Sequence, residues 1–130
     1  MDIGWLWHNF MMNILLDTNF LIYTFDRKID LSEFLNTPLS SPYKLFCIDK
    51  NIEELNRLGR RDVIGLVDHL KVEILKTGHS HLHVDDLMIK VAKEGGFCIA
   101  TQDRELIQKS MDAGVPVILR GNKNKAKVII

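Results

Sequence analysis

Apolar residues follow two patterns that alternate along this chain. Asn13–Leu16, Tyr43–Ile48, Phe97–Ala100 and Val115–Leu119 are short, nearly unbroken runs of strand length, as expected of strands covered on both faces. Between them apolar residues recur at helical spacing. Phe20–Tyr23 follows a cap at Asp17 or Thr18. Val63, Ile64, Leu66, Val67 and Leu70 form one stripe over Arg61–Leu70, and Leu87, Met88, Val91 and Ala92 another over Val84–Ala92. Asp30–Leu35 reads as one or two further helical turns. Asp49 or Asn51 caps a helix to about Leu58, which Gly59 closes, and Thr101–Asp103 leads into a helix ending near Met111.

Two segments are ambiguous. Lys71–Leu75 alternates like a strand or ends the preceding helix, and Lys127–Ile130 returns after a Gly121–Asn122 turn as a hairpin partner or edge strand. Pro38, Ser40, Ser41 and Pro42 mark a loop, and Gly95–Gly96 ends a helix. Strands alternating with helices predict an α/β class, three layers α/β/α around a mostly parallel sheet of four to five strands. There is no repeat, low-complexity tract or long linker, so residues 12–130 are expected to form one domain after an N-terminal extension over residues 1–11.

Composition adds little to this picture. The 130 residues, 46% hydrophobic and 26% charged, suit a single soluble domain able to bury a core without disulfides. With 17 basic and 17 acidic residues, bulk charge gives no push toward nucleic acid. Cys47 and Cys98 sit in apolar runs and make neither a disulfide framework nor a zinc set, which points to a cytoplasmic protein. The segment Met1–Leu16 has no basic start and no small-residue cleavage site, and it is too short and polar to span a bilayer. Trp5 and Trp7 in it are expected to pack on the domain or on a partner.

The acids carry the candidate chemistry. Open parallel sheets bind ligands outside the carboxyl ends of their strands. Asp17 and Asp103 each follow a buried strand, while Glu54 and Asp85 lie on helices able to border the same edge. Four converging carboxylates would raise one another's pKa values unless a cation neutralised them, and an all-oxygen set suits Mg²⁺ or Mn²⁺. Each acid also has an ordinary structural explanation. Asp17 and Asp103 are placed to cap helices, Glu54 sits beside Glu53 on a helix, and Asp85 and Asp86 open a helix where its dipole favours them.

These same residues carry a family resemblance. Ile14–Leu21, with Asp17-Thr18-Asn19 after the strand, resembles the opening of a PIN domain. Ile52–Gly59 resembles the helix bearing that family's single glutamate, in a register that selects Glu54. Val84–Ala92 is similar to its third motif, with an alanine seven residues beyond Asp85, and Phe97–Leu106 to its fourth, with Asp103 eighteen residues beyond Asp85. The resemblance runs from about Met12 to Leu119, and the Glu-Leu-x-x-Leu-Gly segment and Gly114–Ile118 look closest to archaeal PIN proteins and the ribosomal-RNA-processing branch, with VapC-type toxins as wider relatives.

It implies a metal-dependent endoribonuclease in which Asp17, Glu54, Asp85 and Asp103 hold one or two Mg²⁺ or Mn²⁺ ions. Asp86 and Glu105 would be alternate ligands, Thr18, Asn19 and Thr101 would orient the carboxylates, and no side chain would bond covalently to the substrate. RNA is the implied substrate. A homodimer, an antitoxin or an RNA-processing protein are the implied partners, and the role is either toxin or processing nuclease. The alternative is a PIN scaffold that binds RNA or protein without cutting.

Arg120, Lys123, Lys125 and Lys127 form an acid-free basic segment, either a solvated hairpin or a track for an RNA backbone, to which Arg57, Arg60 and Arg61 could add. His79, His81 and His83 lack further ligands at zinc spacing and suit a loop at the rim of the site, where one of them could touch a phosphate. A haloacid-dehalogenase phosphatase would need aspartate where Asn19 stands, and a phospho-accepting receiver would need an acidic pair before the first strand-end aspartate.

Overall fold

The computed structural model describes residues 11–36, 42–78, 80–121 and 126–129. Most of the N-terminal extension, the Pro38–Ser41 loop, Asn122, His79, Lys123 and Lys125 therefore lie outside the described residues. The order of elements is β1 (Met12–Leu16), α1 (Thr18–Asp26), α2 (Leu31–Asn36), β2 (Tyr43–Ile48), α3 (Asp49–Arg57), α4 (Arg61–His69), β3 (Glu73–Leu75), α5 (Val84–Gly95), β4 (Cys98–Ala100), α6 (Arg104–Asp112), β5 (Val117–Arg120) and β6 (Ala126–Ile129).

The strands form one sheet in the order β3-β2-β1-β4-β5-β6, parallel throughout except for antiparallel β6. Among the described residues the sheet therefore has six strands rather than four or five. The two ambiguous segments are both strands, one at each edge. Each is short and partly exposed, so neither carries the apolar run that marks a covered strand.

Alternation along the strands builds the layers. Ile14, Leu16, Cys47 and Ala100 face one side with Phe20, Leu21, Phe34, Leu55, Val63 and Val67, so α1 to α4 cover that face. Leu15, Phe46, Ile48 and Ile99 face the other side with Leu87, Met88, Ala92 and Leu106, so α5 and α6 cover it. Leu15, Leu16, Leu21 and Ile99 are fully buried. Each such side chain contributes roughly 2 kcal/mol of apolar transfer free energy. Gly96 closes α5 at φ +71°, in the left-handed region that only glycine enters without strain.

Strand order and layer assignment together locate a crevice. From the end of β1 the chain leaves into α1 on one face, and from the end of neighbouring β4 it leaves into α6 on the other. Such a divergence leaves room for a ligand outside the carboxyl ends of the two strands.

Candidate active site

Asp17 stands at that crevice. Leu16 pairs with Ala100, and the Asp17 amide donates to the Ala100 carbonyl at 3.0 Å, which continues the ladder one step past the strand. Asp17 occupies the N-cap position of α1, yet its side chain makes no capping bond there. Thr101 Oγ1 donates to Asp17 Oδ2 at 3.0 Å, and the Thr18 backbone also bonds to the carboxyl. The residue is 5% exposed.

Burial is the main force pushing its carboxyl up to about 7, with the charges of Asp85 and Glu54 adding to it; the Thr101 and Thr18 bonds pull the other way. No Lys or Arg pairs with Asp17 among the described residues. An anion kept there above neutral pH is uncompensated.

Asp85 links the rest of the cluster. It lies in the first turn of α5, half-buried, and its carboxyl is raised first by burial and then by the charges of Asp103, Glu105 and Asp86, against the opposing charge of Lys109. Asp17 therefore feels Asp85 and Glu54, and Asp85 feels Asp103, so all four predicted acids gather at one end of the sheet. Glu54 reaches the site from α3, with a side chain 27% exposed. Asp103 is a cap in fact: its Oδ1 accepts from the amides of Glu105 at 2.8 Å and Leu106 at 3.3 Å. The Asp103 amide in turn donates to Thr101 Oγ1 at 3.0 Å, so one threonine hydroxyl joins the two strand-end aspartates.

Of the predicted orienting residues, Thr101 grips Asp17 directly. Thr18 is buried, and its Oγ1 accepts from Asn51 Nδ2 at 2.9 Å. Asn19 is exposed and is not among the groups that hold Asp17. Asn51 does more than the helix cap its position in the sequence suggests. Its Oδ1 accepts the Ile48 amide at 2.9 Å while its amide reaches Thr18, so it ties the start of α3, the Glu54 helix, to the start of α1. Asp49 has a similar office: it accepts from the Thr77 hydroxyl and, at 3.0 Å, from the Thr77 amide, anchoring the connection that leads to α5.

Beside Glu54 and Asp85 the surface opens as a cleft of about 580 Å³, bordered also by Arg57, His83, Glu105 and Lys109; Asp17 and Asp103 are not among its lining residues. Of the predicted alternates Glu105 lines the cleft and Asp86 does not; both lie beside Lys109, whose Nζ is 3.4 Å from Asp86 and 3.6 Å from Glu105. His83 sits at the N-cap position of α5 on the rim, and His81 is exposed.

The cations divide. Arg57 lines the cleft, whereas Arg60 is committed elsewhere. It bonds Asp26 at 2.6 Å and Asp62 at 3.1 Å, holds both carboxyls below their usual range, and ties α1 to α4. Arg61 is exposed at the start of α4. Arg120 ends β5 with its guanidinium 5.8 Å from the Tyr23 ring centroid, and Lys127 lies on edge strand β6 opposite Leu119.

Among the described residues no three His, Cys, Asp or Glu side chains already stand in position to share one ion. The chemistry of the donors nevertheless fits a hard divalent cation. The acids are all oxygen donors, and the innermost is buried without a counterion. No helix of the described residues is long and apolar enough to cross a membrane.

No family model matches the chain. Ribonuclease VapC4 of Methanocaldococcus jannaschii is 31% identical to it over 118 residues, covering 84% of this chain and 90% of that protein. The rRNA-processing protein fcf1 of Schizosaccharomyces pombe is 30% identical over 114 residues, covering 85% of this chain and 59% of that protein. The solved structure of the PIN domain endonuclease Utp24 superposes with a TM-score of 0.78 at 28% identity, across 89% of this chain and 90% of that one. Identity at this level along most of the sequence, in the fold of a PIN endonuclease, means that the chain belongs to the PIN-domain nuclease family.

Proposed function

We propose that this protein is a metal-dependent endoribonuclease that hydrolyses RNA phosphodiesters at the acidic crevice between β1 and β4. The observation that carries this reading is Asp17, a buried carboxyl pushed up to about 7, lying among other acids with no cation paired to it among the described residues. RNA as the substrate class is supported by the ribonuclease and rRNA-processing names of its two relatives.

Asp17, Glu54, Asp85 and Asp103 would hold one or two Mg²⁺ or Mn²⁺ ions. Such ions, when bound, neutralise charge accumulating on the phosphodiester and acidify the attacking water. The protein's own part is arrangement. Thr101 fixes the Asp17 carboxyl, and its hydroxyl is itself fixed by the Asp103 amide. Asn51 sets α3, and with it Glu54, against the start of α1. The water oxygen adds to phosphorus, the ester P–O bond breaks, and the departing oxygen takes up a proton. The thiols offer no nucleophile: burial pushes Cys47 up to about 12, with Asp49 adding to it, and Cys98 rises by burial as well.

The likeness to a VapC ribonuclease and to an rRNA-processing protein gives two settings for this chemistry, toxin and processing enzyme. A neighbouring antitoxin gene would select the first. The direct test is cleavage of a labelled structured RNA in Mn²⁺, Mg²⁺ or EDTA by the native protein, Asp17→Asn and Asp103→Asn. Metal-dependent cutting lost in both variants is expected. Equal cutting by the variants would overturn the site, and RNA binding without cutting by any form would favour a silent scaffold.

A further inference from the structure

Arg60, Arg57 and Lys109 are held in two different ways. Arg60 is clamped by two aspartates at 2.6 and 3.1 Å and cannot leave without breaking the tie between α1 and α4. Arg57 and Lys109 are held loosely. Arg57 Nη2 lies 3.7 Å from Glu54 Oε2, and its side chain is 74% exposed. Lys109 Nζ lies 3.4 Å from Asp86 and 3.6 Å from Glu105, contacts too long to be strong hydrogen bonds. Partly exposed pairs of this kind are weak and readily exchanged. Both cations line the cleft, and they enter it from different helices, Arg57 from α3 and Lys109 from α6. Lys109 is also the positive charge that opposes the upward push on Asp85.

We propose that Lys109 and Arg57 are exchangeable counterions: each rests on a cleft carboxylate in the ion-free protein and passes to a phosphate of the RNA when divalent cations occupy the acids. The proposal rests on the nuclease reading above. The chain has no net charge to draw a polyanion inward, and an acidic cleft repels one. A carboxylate shared with a divalent ion attracts a lysine less, and a backbone phosphate arriving at the same place attracts it more. The exchange has a signature that packing alone lacks. While it rests on the acids, Lys109 competes with the ion; once released, it helps the RNA. Removing its charge therefore raises ion affinity and lowers RNA affinity.

The test compares the native protein with Lys109→Gln, Lys109→Arg and Arg57→Gln. Mn²⁺ affinity is read without RNA from the paramagnetic resonance of the free ion. RNA affinity is read in Ca²⁺ from the anisotropy of a labelled hairpin across a salt series. Lys109→Gln is expected to bind Mn²⁺ up to roughly ten-fold more tightly. It should bind RNA several-fold more weakly, with the salt slope reduced by about 1. Arg57→Gln should behave alike but more weakly, and Lys109→Arg should restore RNA binding. Native protein that binds both ligands, with Lys109→Gln unchanged or shifted the same way for both, would overturn the exchange alone. Native protein that binds neither would overturn the nuclease reading and the exchange with it.

Discussion

Asp17 and Asp103 follow neighbouring strands, precede helices and share one threonine hydroxyl, yet they are held differently. Asp103 is half-buried and spends one carboxylate oxygen on two helix amides, so its charge is satisfied by the peptide chain. Asp17 lies in the same position relative to α1, makes no capping bond, and is buried among other acids. The same local pattern, an acid between an apolar strand and a helix, thus gives a cap that could also serve a site in one case. In the other it gives a carboxyl that no described residue neutralises. A residue held at such cost in the folded state points to a ligand that removes the cost.

The two aspartates should differ most sharply when Asp17 is changed. Asp17→Asn should abolish metal-dependent RNA cleavage while leaving the fold intact, as checked by circular dichroism. Thr101→Val comes next. It removes the one side-chain bond that favours the ionised Asp17 and should cost roughly 10- to 100-fold in metal affinity or activity, measured by Mn²⁺ titration and cleavage rate. The smallest effect separates the two roles of Asp103. Asp103→Ala should lose about 1 kcal/mol of stability in urea unfolding, whereas Asp103→Asn keeps a capping oxygen and should change it little. Both should lose cleavage. A large stability loss in Asp103→Asn would mean that the charge, rather than the cap, is what the fold uses.

How much of this was legible in sequence depended on the range of the interactions. β1, β2 and β4 were readable because strands covered on both faces need unbroken apolar runs, and α4 and α5 because a one-sided helix needs a stripe. β3 stayed ambiguous because Lys71–Leu75 alternates over too few residues to be told from the end of the preceding helix, and Glu73 and Ile74 lie exposed at a sheet edge. That Asp103 caps could be read locally. That Asp17 does not cap could not, since its partner Thr101 is 84 residues away. Asn51 looked like a cap for its own helix, and its bond to Thr18 spans 33 residues. Lys109 had one local clue, Glu105 a helical turn before it, but its place over Asp86 depends on how α6 packs beside α5.

If a cation neutralises the buried Asp17 carboxyl, linkage between protons and folding shows it most directly. Because its folded pKa, about 7, lies above the unfolded value near 3.8, the folded state holds this proton more tightly. Its stabilising effect is full below the unfolded pKa and is lost as pH rises through about 7. The loss is on the order of 4 kcal/mol at most. The measurement is unfolding free energy against pH for the native protein and Asp17→Asn, in EDTA and in Mn²⁺. In EDTA the native protein is expected to lose stability from acid toward neutral pH relative to Asp17→Asn, and Mn²⁺ is expected to restore it above pH 7 only in the native protein. Parallel pH profiles for the two proteins, or equal stabilisation of both by Mn²⁺, would contradict it.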